Sequence, residues 1–232
     1  MLEYHEGLKT ILQSRFNVKD VSIYLKYEKN FDKLIMLGKK FYVGHVTNIE
    51  GKVVDEQIVK GIDLVKKGTL RLTSFLQQRV IDMIYDNSPL ESIKELLASH
   101  RVLLEKKEFK FDELKIIKGV GEAIGDYSPR SQNQPHIMAA KKLIEKNGYL
   151  ETNTVEYVVV NKKLESDDPD KIALEDEFDG TFDRIYYWNE HLFSAAKRIL
   201  EVVYPNVDWD KEFEIKYPKK EKWLAKGQQS LF

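Results

Sequence analysis

The 232-residue chain has no cysteine, so neither a disulfide framework nor a thiolate metal site is available to it. It has no apolar run of membrane-spanning length. Its opening Met-Leu-Glu-Tyr-His-Glu carries no basic region followed by an apolar stretch, so a cytoplasmic protein with no membrane attachment is expected. No Gly-rich phosphate loop occurs, no local motif points to a serine–histidine–acid triad, and there is no internal repeat. An excess of one charge is missing as well. The net charge of −1 neither favours nor opposes nucleic acid as a partner, because the placement of the charges decides.

What is present fits a folded protein: 42% hydrophobic and 32% charged residues, in a chain long enough for one large domain or two small ones. The charges are separated along it. Basic residues outnumber acids from Lys26 to Arg79, whereas acids dominate from Glu165 to Glu190 with only Lys171 and Arg184 against them. One lobe suited to DNA and another facing solvent or protein would produce this pattern, and so would ordinary solvated surface.

Hydrophobic spacing predicts an α+β fold, a small antiparallel sheet followed by a mostly helical region. Leu2, Leu8, Ile11, Leu12 and Phe16 have helical spacing, and Val21–Tyr27 alternates like a half-buried strand. Phe31–Leu37, Phe41–Thr47 and Lys52–Lys60 read as further strands, with a turn at Glu50-Gly51. A helix is expected over Leu70–Tyr85, with Leu72, Phe75, Leu76, Val80 and Ile84 on its apolar side. Ser88-Pro89-Leu90-Glu91 has the form of a capping box opening a helix towards Lys107. Another helix runs from Pro135 to a stop at Asn147-Gly148, Val155–Val160 reads as a strand, and a long helix covers Phe182–Val203. After Lys216 the chain is lysine-rich and patternless.

Leu37-Gly38-Lys39-Lys40-Phe41-Tyr42-Val43-Gly44 is followed by Lys60-Gly61-Ile62-Asp63-Leu64-Val65-Lys66-Lys67. Paired lysines on adjacent strands make a ridge that neutralises phosphates, and a nearby aromatic hydroxyl can fix register. Taken alone, such pairs are also what solvated strand ends look like. As a set they resemble the end of the palm domain of family B DNA polymerases, where a Lys-Lys-Xaa-Tyr strand precedes a Lys/Arg-Gly-Xaa-Glu/Asp-Xaa-Val-Arg/Lys-Arg/Lys motif.

The resemblance continues in register through Leu114–Lys118, Asp126-Tyr127 and Gln134-Pro-His-Ile-Met-Ala-Ala-Lys-Lys-Leu143. It extends to Val155–Val160 and to Asp183-Arg-Ile-Tyr-Tyr with Lys197-Arg-Ile-Leu200, the family's thumb segments. It implies a palm edge over residues 1–67, a thumb over 68–205 and a C-terminal tail over 206–232. It also implies that Lys39, Lys40, Tyr42, Lys60, Lys66 and Lys67 hold primer–template DNA. His136 and Lys141 join them from the thumb helix, although His136 equally suits a capping histidine at the helix start.

The chain departs from the family pattern in places. Gly68 stands where the family has an acid, Gly121-Glu122 where it has a hydroxyl and a base, and the Ser128–Asn133 loop is longer. The family's Asp-Thr-Asp motif, whose aspartates hold two metal ions, does not occur. Asp167-Asp168-Pro169-Asp170 reads as a surface turn rather than a metal site. No catalytic residue, metal site or cofactor is therefore assigned to this chain. The resemblance implies Mg2+ in an assembled polymerase whose larger subunit carries the aspartates, with this chain as the small subunit of a split enzyme or a fragment of a longer one.

The closing Gly227-Gln-Gln-Ser-Leu-Phe232 resembles the peptide by which bacterial proteins dock on the sliding clamp. Gln228 would orient it, with Leu231 and Phe232 as apolar anchors. The alternative reading is a non-catalytic DNA- or clamp-binding adaptor derived from a polymerase thumb.

Overall fold

The computed structural model describes residues 2–22, 26–66, 68–129, 131–164 and 167–218, with residues 2–5 as backbone only. The chain divides into two compact units, residues 1–34 with 43–58 and residues 35–42 with 59–232.

The smaller unit holds α1 (Leu2–Phe16) and most of a sheet ordered β1-β2-β3. The strands are β1 (Lys29–Gly38), β2 (Phe41–Ile49) and β3 (Lys52–Lys60). Two-residue connections make both pairs hairpins. At Glu50-Gly51 both residues take positive φ, 52° and 88°, the turn whose twist matches its strands, and Asn48 Oδ1 accepts the Gly51 N–H at 2.8 Å.

The strand expected over Val21–Tyr27 is not formed by its described residues, 21–22 and 26–27. Alternation identifies a possible face, whereas a strand needs a ladder partner. Here the segment meets its neighbours at Glu50, whose N–H donates to the Glu28 carbonyl (2.9 Å) and whose carboxylate pairs with Lys26 (2.7 Å).

The larger unit contains α2 (Arg71–Tyr85), α3 (Leu90–Lys106), α4 (Phe111–Leu114), β4 (Ile116–Gly119), α5 (Pro135–Asn147), β5 (Thr154–Val159) and β6 (Ile172–Ala173). A second antiparallel sheet, ordered β4-β5-β6, pairs Ile116 with Tyr157 and Val159 with Ile172. Helix α5 packs on β5, whose Val155, Tyr157, Val158 and Val159 are buried, and Gly148 ends α5 in the left-handed conformation expected of its C-cap. At the start of α3 the expected capping box is not made. Pro89 takes the N-cap position, without a side-chain acceptor, and its carbonyl accepts from Ser92 and Ile93.

The long C-terminal helix forms over the expected span in three runs: α6 (Arg184–Tyr186), a π-helical run (Tyr187–Phe193) and α7 (Ser194–Val203). Its Asp-Xaa-Xaa-Tyr-Tyr motif is structural. Asp183, 8% exposed, caps the helix by accepting from Tyr186 N, and also accepts from Lys162 N and the Tyr217 hydroxyl, each at 2.9 Å. The buried Tyr187 hydroxyl donates to the Leu114 carbonyl (2.9 Å) and accepts from Val159 N (3.2 Å), tying the helix to the sheet. His191 stacks on Tyr187, and burial pushes its pKa down to about 4, so it is neutral in the core.

A further helix, α8 (Trp209–Phe213), has no counterpart in the sequence reading. Trp209 is buried, Trp188 Nε1 donates to the Phe213 carbonyl (2.7 Å), and the Asn189 amide bonds both backbone groups of Ile215. The chain up to there is thus part of the core. Among the described residues, no helix is long and apolar enough to cross a membrane.

His45 on β2 lies between carboxylates of both neighbouring strands, Nδ1 at 2.6 Å from Asp32 and Nε2 at 2.6 Å from Asp55. Donating to both requires the imidazolium. The Asp55 hydrogen bond first, then that of Asp32, raises its pKa above the ordinary 6.5. The stabilisation is therefore complete below that value and is lost as pH rises through the raised pKa. Amide exchange in β1–β3 is expected to speed up, beyond the intrinsic pH effect, as pH rises from about 6.5. His45→Gln should remove that extra acceleration.

Candidate nucleic-acid interface

Lys39 and Lys40 are the two exposed residues of the β1–β2 turn, with Lys40 in the left-handed region at φ 66°. Lys60 is exposed at the end of β3. The next residue, Gly61, has φ 70°, and a Cβ there would lie 2.5 Å from the Lys40 carbonyl and 2.8 Å from the Phe41 ring. Only glycine lets the two backbones meet, and their meeting brings the first lysine motif against the second.

Beyond Gly61 the chain makes a single 3-10 turn over Asp63–Val65. Gln77 of α2, 1% exposed, accepts from Leu64 N at 2.7 Å and donates to the Ala195 carbonyl of α7 at 2.8 Å. The Asp63 carboxylate pairs with Lys66 (2.8 Å) and with Arg198 of α7 (2.9 Å). Gly68 follows at φ 80°, where a Cβ would come to 3.0 Å from the Ile117 carbonyl of β4. That approach gives a physical reason for glycine where the family has an acid.

Lys118, next to Ile117, is exposed. His136, on the first turn of α5, is buried, and its pKa is lowered by burial and then by the positive charge of Lys118. It is neutral at physiological pH, so Lys118 carries the charge there. Lys141 is exposed on the same helix, where its amine donates to the Gln132 side chain at 3.3 Å.

The structure thus links Lys39, Lys40, Lys60 and Lys66 through successive contacts, from the hairpin turn to Gly61 and into the loop, and Gly68 meets β4 beside Lys118; His136 is related to that end by the charge of Lys118 alone. Tyr42 is half-buried in β2. Lys67, Gln228, Leu231 and Phe232 lie outside the described residues. The sequence reading missed Lys118, Gln77 and Arg198. Lys118 sits within a segment of family resemblance, and a polar residue inside an apolar helical face, as at Gln77, is the one signal the sequence offers.

Electrostatics separates these cations from one group of lysines. Lys94, Lys107, Lys115, Lys142, Lys146, Lys162 and Lys197 are all paired with carboxylates. Among the described residues, Lys39, Lys40, Lys60 and Lys118 have no carboxylate partner, as is also true of Lys29, Lys52 and Lys106 elsewhere on the surface; Lys66 is taken up by Asp63. Cations not neutralised internally are the ones available to phosphate oxygens. Among the described residues no group of three or more His, Asp or Glu is placed to hold a metal ion. Asp168 instead caps its own turn, accepting from Asp170 N at 2.9 Å.

Replacing Gly61 with alanine is expected to cost about 1–3 kcal/mol in chemical denaturation, since it adds a Cβ at positive φ against a carbonyl. Equal denaturation midpoints for the variant and the parent would contradict the packing described.

The pattern of DNA polymerase family B matches residues 6–203. The chain is similar to the DNA polymerase catalytic subunit of human herpesvirus 8, 27% identical over 146 residues, covering 52% of this chain and 14% of that protein. It is also similar to the DNA polymerase alpha catalytic subunit of Oryza sativa subsp. japonica, 23% identical over 140 residues, covering 57% of this chain and 9% of that one. The fold is like that of the family B DNA polymerase of the archaeon Pyrobaculum calidifontis, with a TM-score of 0.57, 21% identity, and coverage of 85% of this chain and 24% of the other. The chain therefore spans only a small part of the length of its relatives. With the pattern matched across most of its residues and the α+β fold shared, the chain belongs to DNA polymerase family B.

Proposed function

We propose that this chain is the palm-edge and thumb part of a family B DNA polymerase, and that it grips primer–template duplex for DNA synthesis carried out by a larger polymerase subunit. The observation that carries this reading is the pair of glycine approaches, Gly61 to the Lys40 backbone and Gly68 to Ile117, that bring the hairpin turn, the end of β3 and β4 to one connection, where among the described residues Lys39, Lys40, Lys60 and Lys118 have no carboxylate partner. Phosphate contacts of this kind supply affinity and orientation without reading sequence, which suits a surface that must hold any duplex. Tyr42, Lys67 and Lys141 are proposed to complete the surface, whereas Lys66, held by Asp63, and the buried His136 support it from behind.

The larger subunit supplies the aspartates that hold Mg2+, and the edges of the β1-β2-β3 sheet offer it backbone groups to pair with. Residues 227–232 are proposed to tether the assembly to a sliding clamp, raising its effective concentration at the primer end.

Lys39→Ala with Lys40→Ala tests the grip. Binding of a fluorescent primer–template duplex is expected to weaken, and the slope of log affinity against log salt to fall by about 0.9 for each phosphate that the variant no longer neutralises. An unchanged slope would overturn the assignment.

A further inference from the structure

Lys60, at the end of β3, and Lys40, across the Gly61 contact, border the connection between β3 and α2, and such a connection is only as well placed as its backbone is held. Two interactions hold it, and both end on α7. Gln77 reaches across from α2, its carbonyl oxygen receiving the Leu64 N–H and its amide nitrogen donating to the Ala195 carbonyl. The Asp63 carboxylate receives Lys66 on one oxygen and meets the Arg198 guanidinium on the other.

The Gln77 amide can work in one orientation only. Reversed, it would set its NH2 against the Leu64 N–H and its oxygen against the Ala195 oxygen. A buried side chain with both ends committed has no rotamer freedom left, so it fixes a distance rather than merely filling space. Ala195 lies at the junction of the π-helical run with α7, so the loop is registered against that point of the last helix.

We infer that Gln77 is a positioning residue for the DNA grip. Its amide, seconded by the Asp63–Arg198 pair, registers the 60–66 loop on α7 and so presents Lys60, and through the Gly61 contact Lys40, at a fixed spacing to the phosphates. The inference rests on the grip proposed above and adds that its geometry is set by the last helix.

The test measures primer–template affinity and its salt slope for the full chain and four variants, each held well below its melting temperature. Gln77→Leu removes both hydrogen bonds at similar volume, and Gln77→Glu is isosteric. A protonated glutamate, as an acid, can accept from Leu64 N and donate to Ala195 O, whereas an ionised one can only accept. Arg198→Ala removes the second tie from an exposed surface, and Lys60→Ala removes one cation.

The expected result is that Gln77→Leu weakens binding on the order of tenfold and flattens the salt slope by about 1, as Lys60→Ala does. Gln77→Glu should recover parental affinity at acidic pH and lose it as pH rises, measured against the parent at each pH. Arg198→Ala should show a smaller loss of affinity of the same kind.

A purely structural Gln77 would lower the melting temperature without changing the salt slope, and that outcome overturns the inference. If Gln77→Leu does not fold, the pH profile of Gln77→Glu decides, and a profile parallel to the parent's overturns it. If Lys60→Ala itself changes neither affinity nor slope, the grip reading has failed and takes this inference with it. If Lys60→Ala weakens binding while neither Gln77 variant does, the grip stands and only the positioning role falls.

Discussion

The backbone between β3 and α2 has to leave a sheet, turn once and enter a helix while its polar groups stay satisfied. Much of the larger unit is arranged around that requirement. Gly61 admits the β1–β2 turn, Gln77 takes the Leu64 N–H, Asp63 draws in Lys66 and Arg198, and Gly68 admits β4. An unpaired buried amide costs about 1–3 kcal/mol, so a short loop with several such groups is held only where its neighbours supply partners. Here the partners come from α2 and α7, elements that pack on each other and bury Leu76, Val80 and Ile199.

The same economy shapes the electrostatics. Several lysines around α5, α7 and the sheet β4-β5-β6 are matched to carboxylates, in pairs such as Lys142 with Glu177 and Lys162 with Glu190. Exposed pairs of this sort add little stability, about 0–1 kcal/mol each, but they cancel field where no partner is to be attracted. The cations at the hairpin turn, the end of β3 and β4 lack such partners among the described residues, so their charge is not cancelled by an ion pair. An almost neutral chain can thus carry a basic surface, which its net charge of −1 conceals.

Most of the secondary structure was legible in the sequence, because α1, β1 to β3, α2, α5, β5 and the last helix follow local hydrophobic periods or a glycine stop. What the periods cannot convey is which neighbour a segment finds. Val21–Tyr27 alternates but gains no ladder in its described residues. Phe75, on the expected apolar side of α2, is 57% exposed, while Thr73 and Gln77 are buried. Helix α8 escaped because its apolar content is Trp209 and Phe213 alone, too few to show a period. In the candidate site the lysine pairs were legible as motifs. That Gly61 brings them together, that Lys66 is neutralised and that Lys118 replaces His136 as the charge beside β4 all depend on tertiary contacts.

If the grip is as proposed, Lys39, Lys40, Lys60 and Lys118 meet the duplex and the lysines held by carboxylates do not. Chemical acetylation of lysines, read by mass spectrometry with and without saturating primer–template DNA, addresses this residue by residue. The expected result is protection of Lys39, Lys40, Lys60 and Lys118 on adding DNA, with Lys94, Lys107, Lys146 and Lys162 modified to the same extent in both states. Protection spread evenly over both sets, or confined to the paired set, would contradict it.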